Sequence, residues 1–397
     1  MGRMHILVLA VLAAAAVMVG SCDRQKPRDL PVIDPPGKRG QPQTPDHGGP
    51  TTPIKLEKPK VLGPTQPAVV SLPARMAEPT IRVRLTSEQP APPKVNARNY
   101  RGRVDNVRLA NGSFVAINTL SLDDYLQGVL AKEMYNSWHM NALRSQAIAA
   151  RTYGLFQIMT ANKAALWDVE TDERSQMYAG IPGETAKARE AVAATRGQVL
   201  VTTHNNVTGI FCTFFSACSG GATQDPFEAW GDPSIAPLSA RALGPVDDNC
   251  PRYTWPTMAV AKSDITRCVR AWGQRNDAPA LAALGNVNKV VISKRNARTT
   301  RPTEITLTDS AGKSATIRAE EFRLALIYDP AGRAPKPFSS WFDVQDSSEQ
   351  INLVNGRGHG HGIGMSQWGA QKLALQGKTH GQILAFFYPE SRVIDAW

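Results

Sequence analysis

A carboxylate on the apolar side of a predicted helix is the first residue of this sequence whose type and position could do chemistry. Leu126, Leu130 and Glu133 are four and three residues apart, so they lie along one side of the helix that this spacing predicts. Burial disfavours the charged form of a carboxyl group and raises its pKa, as a general acid near neutral pH requires. The alternative is a helix-end Glu that is solvated or paired with Lys132 or Arg144.

A permanent cation is the second residue that could act at such a site. A second predicted helix follows the first and is rich in small residues that favour close packing: Ala142, Ala147, Ala149, Ala150 and Gly154. Arg151 lies within this helix. We therefore expect the guanidinium group of Arg151 near the Glu133 carboxylate.

A glycine- and histidine-rich string occupies residues 356–370 and reads GRGHGHGIGMSQWGA. It could be a metal loop, because His359 and His361 are two residues apart. It could also be a phosphate-binding glycine loop, although it lacks the GK[ST] ending of a P-loop. The third interpretation is a substrate-binding loop, in which glycines permit close approach while His361, Ser366 and Gln367 donate hydrogen bonds.

The elements that must position these residues predict an α+β fold. Residues 80–85 alternate as in a strand, and residues 100–109 and 113–117 form a predicted hairpin around Asn111-Gly112. The two helices follow, and later strands and helices continue to the C-terminus. The simplest prediction is one continuous domain, residues 79–397, with helices packed on a mixed or antiparallel β-sheet.

Two strings resemble a known family. The run LDDYLQGVLAKEM…ALRSQAIAARTYGL is similar to the signature of the SpoIID/LytB family, the stage II sporulation protein D and amidase-enhancer group. Residues 360–370 resemble the family motif GHGxGMSQxGA. A third segment, with Ser219 and Gly220 in a Ser-Gly-Gly turn followed by the pair Trp230-Gly231, is also similar to the family pattern.

The resemblance implies a peptidoglycan lytic transglycosylase that cleaves the β-1,4 bond between N-acetylmuramic acid and N-acetylglucosamine and leaves 1,6-anhydro ends. The Glu of the EM pair, Glu133, would be the catalytic acid, and Arg151 matches the functionally implicated Arg. The other expected substrate-binding residues are His361, Ser366, Gln367, Ser219, Gly220 and Trp230. This reaction requires no cofactor and no second carboxylate, so Glu170, Asp172 and Glu173 are only weak candidates for one.

The alternative function is a non-catalytic wall-binding module that stimulates an N-acetylmuramoyl-L-alanine amidase. The peptidoglycan glycan strand is the expected partner under both hypotheses, and an amidase is a further partner under the second. The net charge of +11 favours an anionic wall or membrane surface. We exclude nucleic acid because the chain carries an export signal and no nucleic-acid-binding motif.

The five cysteines divide into one near the N-terminus and four later ones. Export favours disulfides, and Cys250–Cys268 is the preferred pair. Cys212 and Cys218 are six apart, and two alternatives remain open for them: a disulfide, or thiolate ligands of a structural zinc ion.

The N-terminal segment predicts export and anchoring. Residues 1–21 have the layout of a secretory signal, with an apolar run too short to span a bilayer. Small residues directly before Cys22 resemble a lipobox, so Cys22 is the expected lipidation site of a membrane-anchored lipoprotein in the periplasm or cell envelope. Residues 22–78 are rich in proline and predict a disordered tether that lets the domain reach the wall.

Overall fold

The structure, a computed structural model, describes residues 67–162, 164–172 and 174–397. The predicted signal segment, the lipidation site Cys22 and most of the predicted tether lie outside these residues. Within the described residues, the helices are α1 Leu122–Glu133, α2 Met140–Thr160, α3 Ala186–Ala193, α4 Pro226–Trp230, α5 Lys262–Arg275, α6 Pro279–Ala282, α7 Ala319–Ile327, α8 Gln367–Leu375 and α9 His380–Phe387. Short 3₁₀ turns occupy Ala97–Asn99, Ile181–Gly183 and Ala236–Leu238.

Sixteen strands are found in the same part of the chain, and they form several separate sheets. They are β1 Thr80–Arg84, β2 Arg103–Arg108, β3 Phe114–Ser121, β4 Val169–Glu170, β5 Gln198–His204, β6 Val207–Ile210, β7 Phe215–Ser216, β8 Thr254–Trp255, β9 Met258–Ala261, β10 Val287–Arg295, β11 Pro302–Asp309, β12 Ser314–Arg318, β13 Trp341–Asp346, β14 Gln350–Arg357, β15 Met365–Ser366 and β16 Ser391–Asp395. The predicted α+β class is therefore confirmed.

The first hydrophobic core is built around α2. This helix is buried along most of its length and contacts α1, α3, α8, α9 and β5. The sheet β2-β3-β1-β4 and the sheet β16-β5-β6 lie in the same core, with β4 parallel to β1 and the remaining pairs antiparallel. The predicted hairpin is present as β2 and β3.

Two long-range strand pairs bring the end of the chain back to this core. Strand β15 pairs in parallel with β7, with Ser366 opposite Ser216. Strand β16 pairs antiparallel with β5. The glycine- and histidine-rich string is consequently placed beside residues that precede it by about 150 positions in the chain.

A second hydrophobic core lies within residues 255–353 and was not anticipated from the sequence. It contains the antiparallel sheet β10-β11-β12 and strands β9, β13 and β14, packed with α5 and α7. Hydrogen bonds join the two cores, for example from Arg301 Nη1 to the carbonyl oxygens of Ser219 (3.0 Å) and Ala222 (3.1 Å).

The ordered structure begins earlier than residue 79. Val69 is buried in the first core, and Val70 exchanges two backbone hydrogen bonds of 2.9 Å with Ile210. Glu78 pairs with Arg196 at 3.1 Å. The prediction of a tether extending to residue 78 is therefore wrong at its C-terminal end. Val69 packs in the first core, and Val70 pairs with the strand that ends at Ile210. Among the described residues, no helix is long and apolar enough to cross a bilayer.

Candidate functional site

Glu133 is the last residue of α1. Ser121 caps the start of this helix by accepting a hydrogen bond from the backbone N–H of Asp124 at 3.2 Å. The apolar face of the helix is buried, and the backbone N–H of Met134 closes the last turn on Leu130. The side chain of Glu133 therefore projects from the C-terminal turn, where the helix dipole also disfavours negative charge.

Two donors from distant parts of the chain hold the Glu133 carboxylate. The backbone N–H of Met177 donates to Oε1 at 2.8 Å, and Nε2 of Gln367 donates to Oε2 at 3.2 Å. Desolvation raises the pKa of Glu133, while both hydrogen bonds oppose the shift without cancelling it. No ion pair from Glu133 to Lys132 or Arg144 is formed among the described residues, so its environment favours the neutral acid.

Arg151 does not lie beside Glu133. Its Nε donates to Asp123 Oδ1 at 2.7 Å, and its guanidinium also bonds Thr195 and two backbone carbonyls near the end of α3. Asp123 is in the first turn of α1, ten residues before Glu133, which corresponds to about 15 Å of helix. The expectation that Arg151 orients the Glu133 carboxylate is therefore wrong: α2 places Arg151 at the opposite end of α1.

The glycine- and histidine-rich string is a tight loop between β14 and α8. Its four alternate glycines at positions 358, 360, 362 and 364 all have positive φ. At Gly364 a Cβ atom would lie 2.0 Å from the carbonyl oxygen of Phe214, so only glycine fits there. Directly after these glycines, Ser366 is the N-cap of α8 and Gln367 is its first residue.

His361 is engaged by the protein itself. Its Nδ1 accepts from the backbone N–H of Ile363 at 3.0 Å, and its Nε2 donates to the carbonyl of Phe215 at 2.8 Å. Burial lowers the pKa of His361 to about 4, so the ring is neutral at pH 7. The half-buried Trp230 lies against it, with ring centroids 5.1 Å apart. In this arrangement both ring nitrogens are already used, and His361 supports the loop.

A buried carboxylate that the sequence did not single out connects the two family-like turns. Oδ2 of Asp247 accepts from the backbone N–H of Ser219 (2.5 Å), from Ser219 Oγ (2.7 Å) and from Ser366 Oγ (2.7 Å). Gly220 packs closely on the loop, because a Cβ there would lie 2.8 Å from Gly358 N. Ser219, Gly220 and Ser366 therefore hold the loop in place. Asp247 stands in no motif, so no sequence signal could have found it.

The four described cysteines are free thiols. Cys250 lies against Cys218, whereas Cys268 is in α5 within the second core, beside Asp329. The predicted pair Cys250–Cys268 is therefore not formed, because the two residues belong to different packing environments.

The residues around Cys212 and Cys218 do not assemble a zinc site. The Cys212 thiol accepts from Gln157 at 3.8 Å, and the Cys218 thiol meets the carbonyl of Asp247 at the same distance. Within the described part of the chain, no three His, Cys, Asp or Glu side chains are grouped for a metal ion.

The weaker acidic candidates are occupied elsewhere. Glu170 pairs with Arg84 at 2.7 Å, and Asp172 pairs with Arg174 at 2.7 Å. Glu173 lies outside the described residues. Glu133 is therefore the acidic candidate that lies where Gln367 of the C-terminal motif contacts the end of α1.

The comparisons with known proteins agree with these motifs. Residues 110–202 match the family model described as SpoIID, stage II sporulation protein. The chain is 27% identical over 289 residues to an uncharacterized protein of Brachyspira hyodysenteriae, covering 72% of this chain and 70% of the relative. It is 26% identical over 305 residues to stage II sporulation protein D of Bacillus subtilis, covering 73% and 78%.

The amidase enhancer of Bacillus subtilis is 26% identical over 295 residues, a match that covers 66% of this chain and 39% of that protein. The shared region is therefore well under half of the amidase enhancer. The family model includes α1 and α2, which carry Glu133 and Arg151. Over this region, and at the motif of residues 360–370, the chain is thus similar to the SpoIID/LytB family.

Proposed function

We propose that this protein is a lytic transglycosylase acting on peptidoglycan glycan strands, with Glu133 as its general acid and base. The observation that carries the proposal is the environment of this carboxyl group: desolvation raises its pKa, and two positioned donors fix its orientation. A carboxyl group whose pKa is raised by desolvation and whose orientation is fixed can deliver its proton to a glycosidic oxygen.

In the first step the neutral Glu133 protonates the oxygen that leaves C1 of the muramoyl residue. In the second step the resulting carboxylate takes the proton of the muramoyl C6 hydroxyl, whose oxygen bonds to C1 and forms the 1,6-anhydro ring. The carboxyl group ends protonated, and no water is consumed. This differs from glycoside hydrolysis with two carboxylates, because the substrate supplies its own nucleophile.

Gln367 suits a residue that changes protonation state during the cycle. Its amide nitrogen donates to the Glu133 carboxylate at 3.2 Å, and after rotation its amide oxygen could accept from the neutral acid. The Ser219–Asp247–Ser366 contacts fix the start of α8 and therefore the position of Gln367. This assigns the loop a positioning role.

The remaining parts of the proposal concern location. We propose that the protein is exported and anchored in the cell envelope through lipidated Cys22. The segment between Cys22 and the folded region would give the protein its reach to the wall. An amidase partner is the alternative, since one relative carries the name amidase enhancer.

The decisive experiment is mass spectrometry of peptide-free glycan strands after incubation with the purified protein. We expect 1,6-anhydro ends with the unmodified protein and a loss of at least about 100-fold for Glu133→Gln. Glu190→Gln, on the exposed face of α3, makes the same chemical change away from the site and should cleave normally. Reducing ends would indicate a hydrolase. No cleavage, combined with stimulation of an amidase, would support the alternative, a non-catalytic wall-binding module.

A further inference from the structure

Three aromatic rings lie next to Glu133 and have no role in the mechanism above. Tyr135, Trp138 and Trp368 form this aromatic cluster, with ring centroids 5.3 Å apart for Tyr135–Trp138, 6.1 Å for Tyr135–Trp368 and 5.0 Å for Trp138–Trp368. Trp138 is 7% exposed, whereas Tyr135 is 51% exposed. Trp368 is half-buried, so the most exposed ring of the cluster, Tyr135, rests on one buried and one half-buried tryptophan.

Both ends of the cluster are tied to the proposed acid. Tyr135 follows Glu133 by two residues, so their Cα atoms are at most about 7 Å apart. Trp368 directly follows Gln367, whose amide donates to the Glu133 carboxylate. The positions of the rings and of the carboxylate are therefore set by the same two helix ends.

A second exposed apolar side chain belongs to Met177, whose backbone N–H donates to Glu133. Met177 is 37% exposed. Apolar side chains scattered singly on a surface are ordinary, but here two of them belong to segments in direct contact with one desolvated carboxylate.

A pyranose ring has the chemistry that fits this arrangement. Its axial C–H groups pack on the face of an aromatic ring, while its hydroxyl and glycosidic oxygens remain free for the carboxyl group. A flat ring that is held in place loses little conformational entropy on binding. A protein partner would be expected to need a much larger apolar patch.

We propose that Tyr135, supported by Trp138 and Trp368, is the stacking platform for a sugar ring adjacent to the bond that Glu133 acts on. Met177 contacts the same glycan strand beside the carboxylate. This inference rests on the proposed function, because it takes the glycan strand as the substrate of that site.

Binding is measured without turnover by placing each variant in a Glu133→Gln background and titrating peptide-free GlcNAc–MurNAc oligosaccharides. Intrinsic tryptophan fluorescence reports the event, because Trp138 and Trp368 lie beneath the platform. We expect Tyr135→Ala to weaken binding about 10-fold and Tyr135→Phe to stay within about twofold, since stacking needs the ring and not the hydroxyl. Phe227→Ala removes a ring that is 58% exposed in α4 and should leave binding unchanged.

The outcomes separate this inference from the proposed function. Anhydro products with unchanged glycan affinity in Tyr135→Ala would overturn the platform and leave the transglycosylase intact. Tyr135-dependent glycan binding without any cleavage by the unmodified protein would support the platform and refute the transglycosylase. Normal glycan affinity in Tyr135→Ala, with lost stimulation of an amidase, would reassign the cluster to a protein partner and overturn the platform. Melting temperatures equal to that of the parent confirm that each variant is folded.

A different observation carries a second inference, which concerns two cysteines. The Cys218 thiol lies 3.8 Å from the carbonyl oxygen of Asp247, and the same oxygen accepts from the backbone N–H of Cys250 at 3.0 Å. The two thiols also hydrogen-bond to each other. Cys218 directly precedes Ser219, so this contact lies beside the Ser219–Asp247–Ser366 contacts.

We infer that Cys218 and Cys250 form a disulfide when the chain folds under oxidising conditions. One thiolate attacks a disulfide oxidant such as glutathione disulfide and releases one reduced glutathione. The second thiolate then attacks the mixed disulfide and releases the other. Two protein thiols become one disulfide while the oxidant is reduced by two electrons. The bond would fasten the Ser-Gly-Gly turn to the segment that carries Asp247.

Non-reducing peptide mapping of the full chain, refolded with glutathione disulfide, tests the pairing. We expect one cross-linked peptide containing Cys218 and Cys250, with Cys268 still open to alkylation. Cys268→Ser should keep this peptide, and Cys250→Ser should remove it and lower the melting temperature under oxidising conditions only. Free thiols at both positions, or a Cys250–Cys268 peptide, would overturn the inference.

Discussion

Replacing Arg151 separates a catalytic role from a structural one. The side chain is fully buried and makes four hydrogen bonds, to Asp123, Thr195 and the carbonyls of Val192 and Gln198. A lysine keeps the charge but can reach only one or two of these acceptors. At about 1 kcal/mol for each lost bond, Arg151→Lys should lower the free energy of unfolding by about 2–3 kcal/mol.

Arg151→Ala should be more severe. It removes the 2.7 Å partner of the buried Asp123 carboxylate and leaves only the looser pair with Arg196 at 3.9 Å, a change that costs up to about 3–5 kcal/mol. Because the two side chains are in contact, the double variant Arg151→Ala/Asp123→Ala should lose less stability than the sum of the single variants. Urea unfolding followed by tryptophan fluorescence measures the parent, the single variants Arg151→Ala and Asp123→Ala, and the double variant.

Catalysis supplies the second readout. Arg151 binds Asp123, which lies about 15 Å along α1 from Glu133, so the folded Arg151→Lys protein should keep the pH profile of glycan cleavage. If Arg151→Lys unfolds within about 0.5 kcal/mol of the parent and yet shifts that profile or loses about 100-fold in kcat, the structural assignment is wrong.

Three further predictions concern the loop that positions Gln367. Asp247→Ala should lower the free energy of unfolding by about 3–5 kcal/mol, because it leaves three buried donors without an acceptor. Asp247→Asn keeps one acceptor oxygen and should lower it by only about 1–2 kcal/mol. Equal losses for the two variants in urea titrations would contradict this. Gln367→Leu removes a donor that lowers the pKa of Glu133, so the alkaline limb of the cleavage profile should move to higher pH, and a shift to lower pH would argue against this contact. The pKa of His361 is about 4 in the folded chain and near 6.5 in the unfolded chain, so the unfolded chain binds its proton first as pH falls. Up to about 3 kcal/mol of stability should therefore be lost between pH 6.5 and pH 4. His361→Gln should lose that part of the pH dependence in acid-unfolding curves.

Local patterns predicted many elements correctly. Helix α1 follows from 3.6-residue periodicity, α2 is predicted from a segment rich in small residues, and the β2–β3 hairpin follows from its Asn-Gly turn between alternating residues. Such elements depend on neighbours a few residues away, which the sequence displays directly.

Contacts between distant segments could not be predicted in this way. The parallel pairing of β15 with β7, the second hydrophobic core and the burial of Val69 each depend on surfaces that exist only after the chain has folded. The same applies to Cys250, which the sequence paired with Cys268 and which the fold places beside Cys218.

The sequence by itself determined which residue types are available: an acid at the end of an amphipathic helix and a loop whose alternating glycines accept positive φ. Tertiary structure decided which of them meet. Helix packing brought Gln367 and the Met177 backbone to Glu133 and moved Arg151 to the far end of α1. The physical reason is that a pKa and a hydrogen bond depend on distance and desolvation, and both are set by which surfaces the fold buries together.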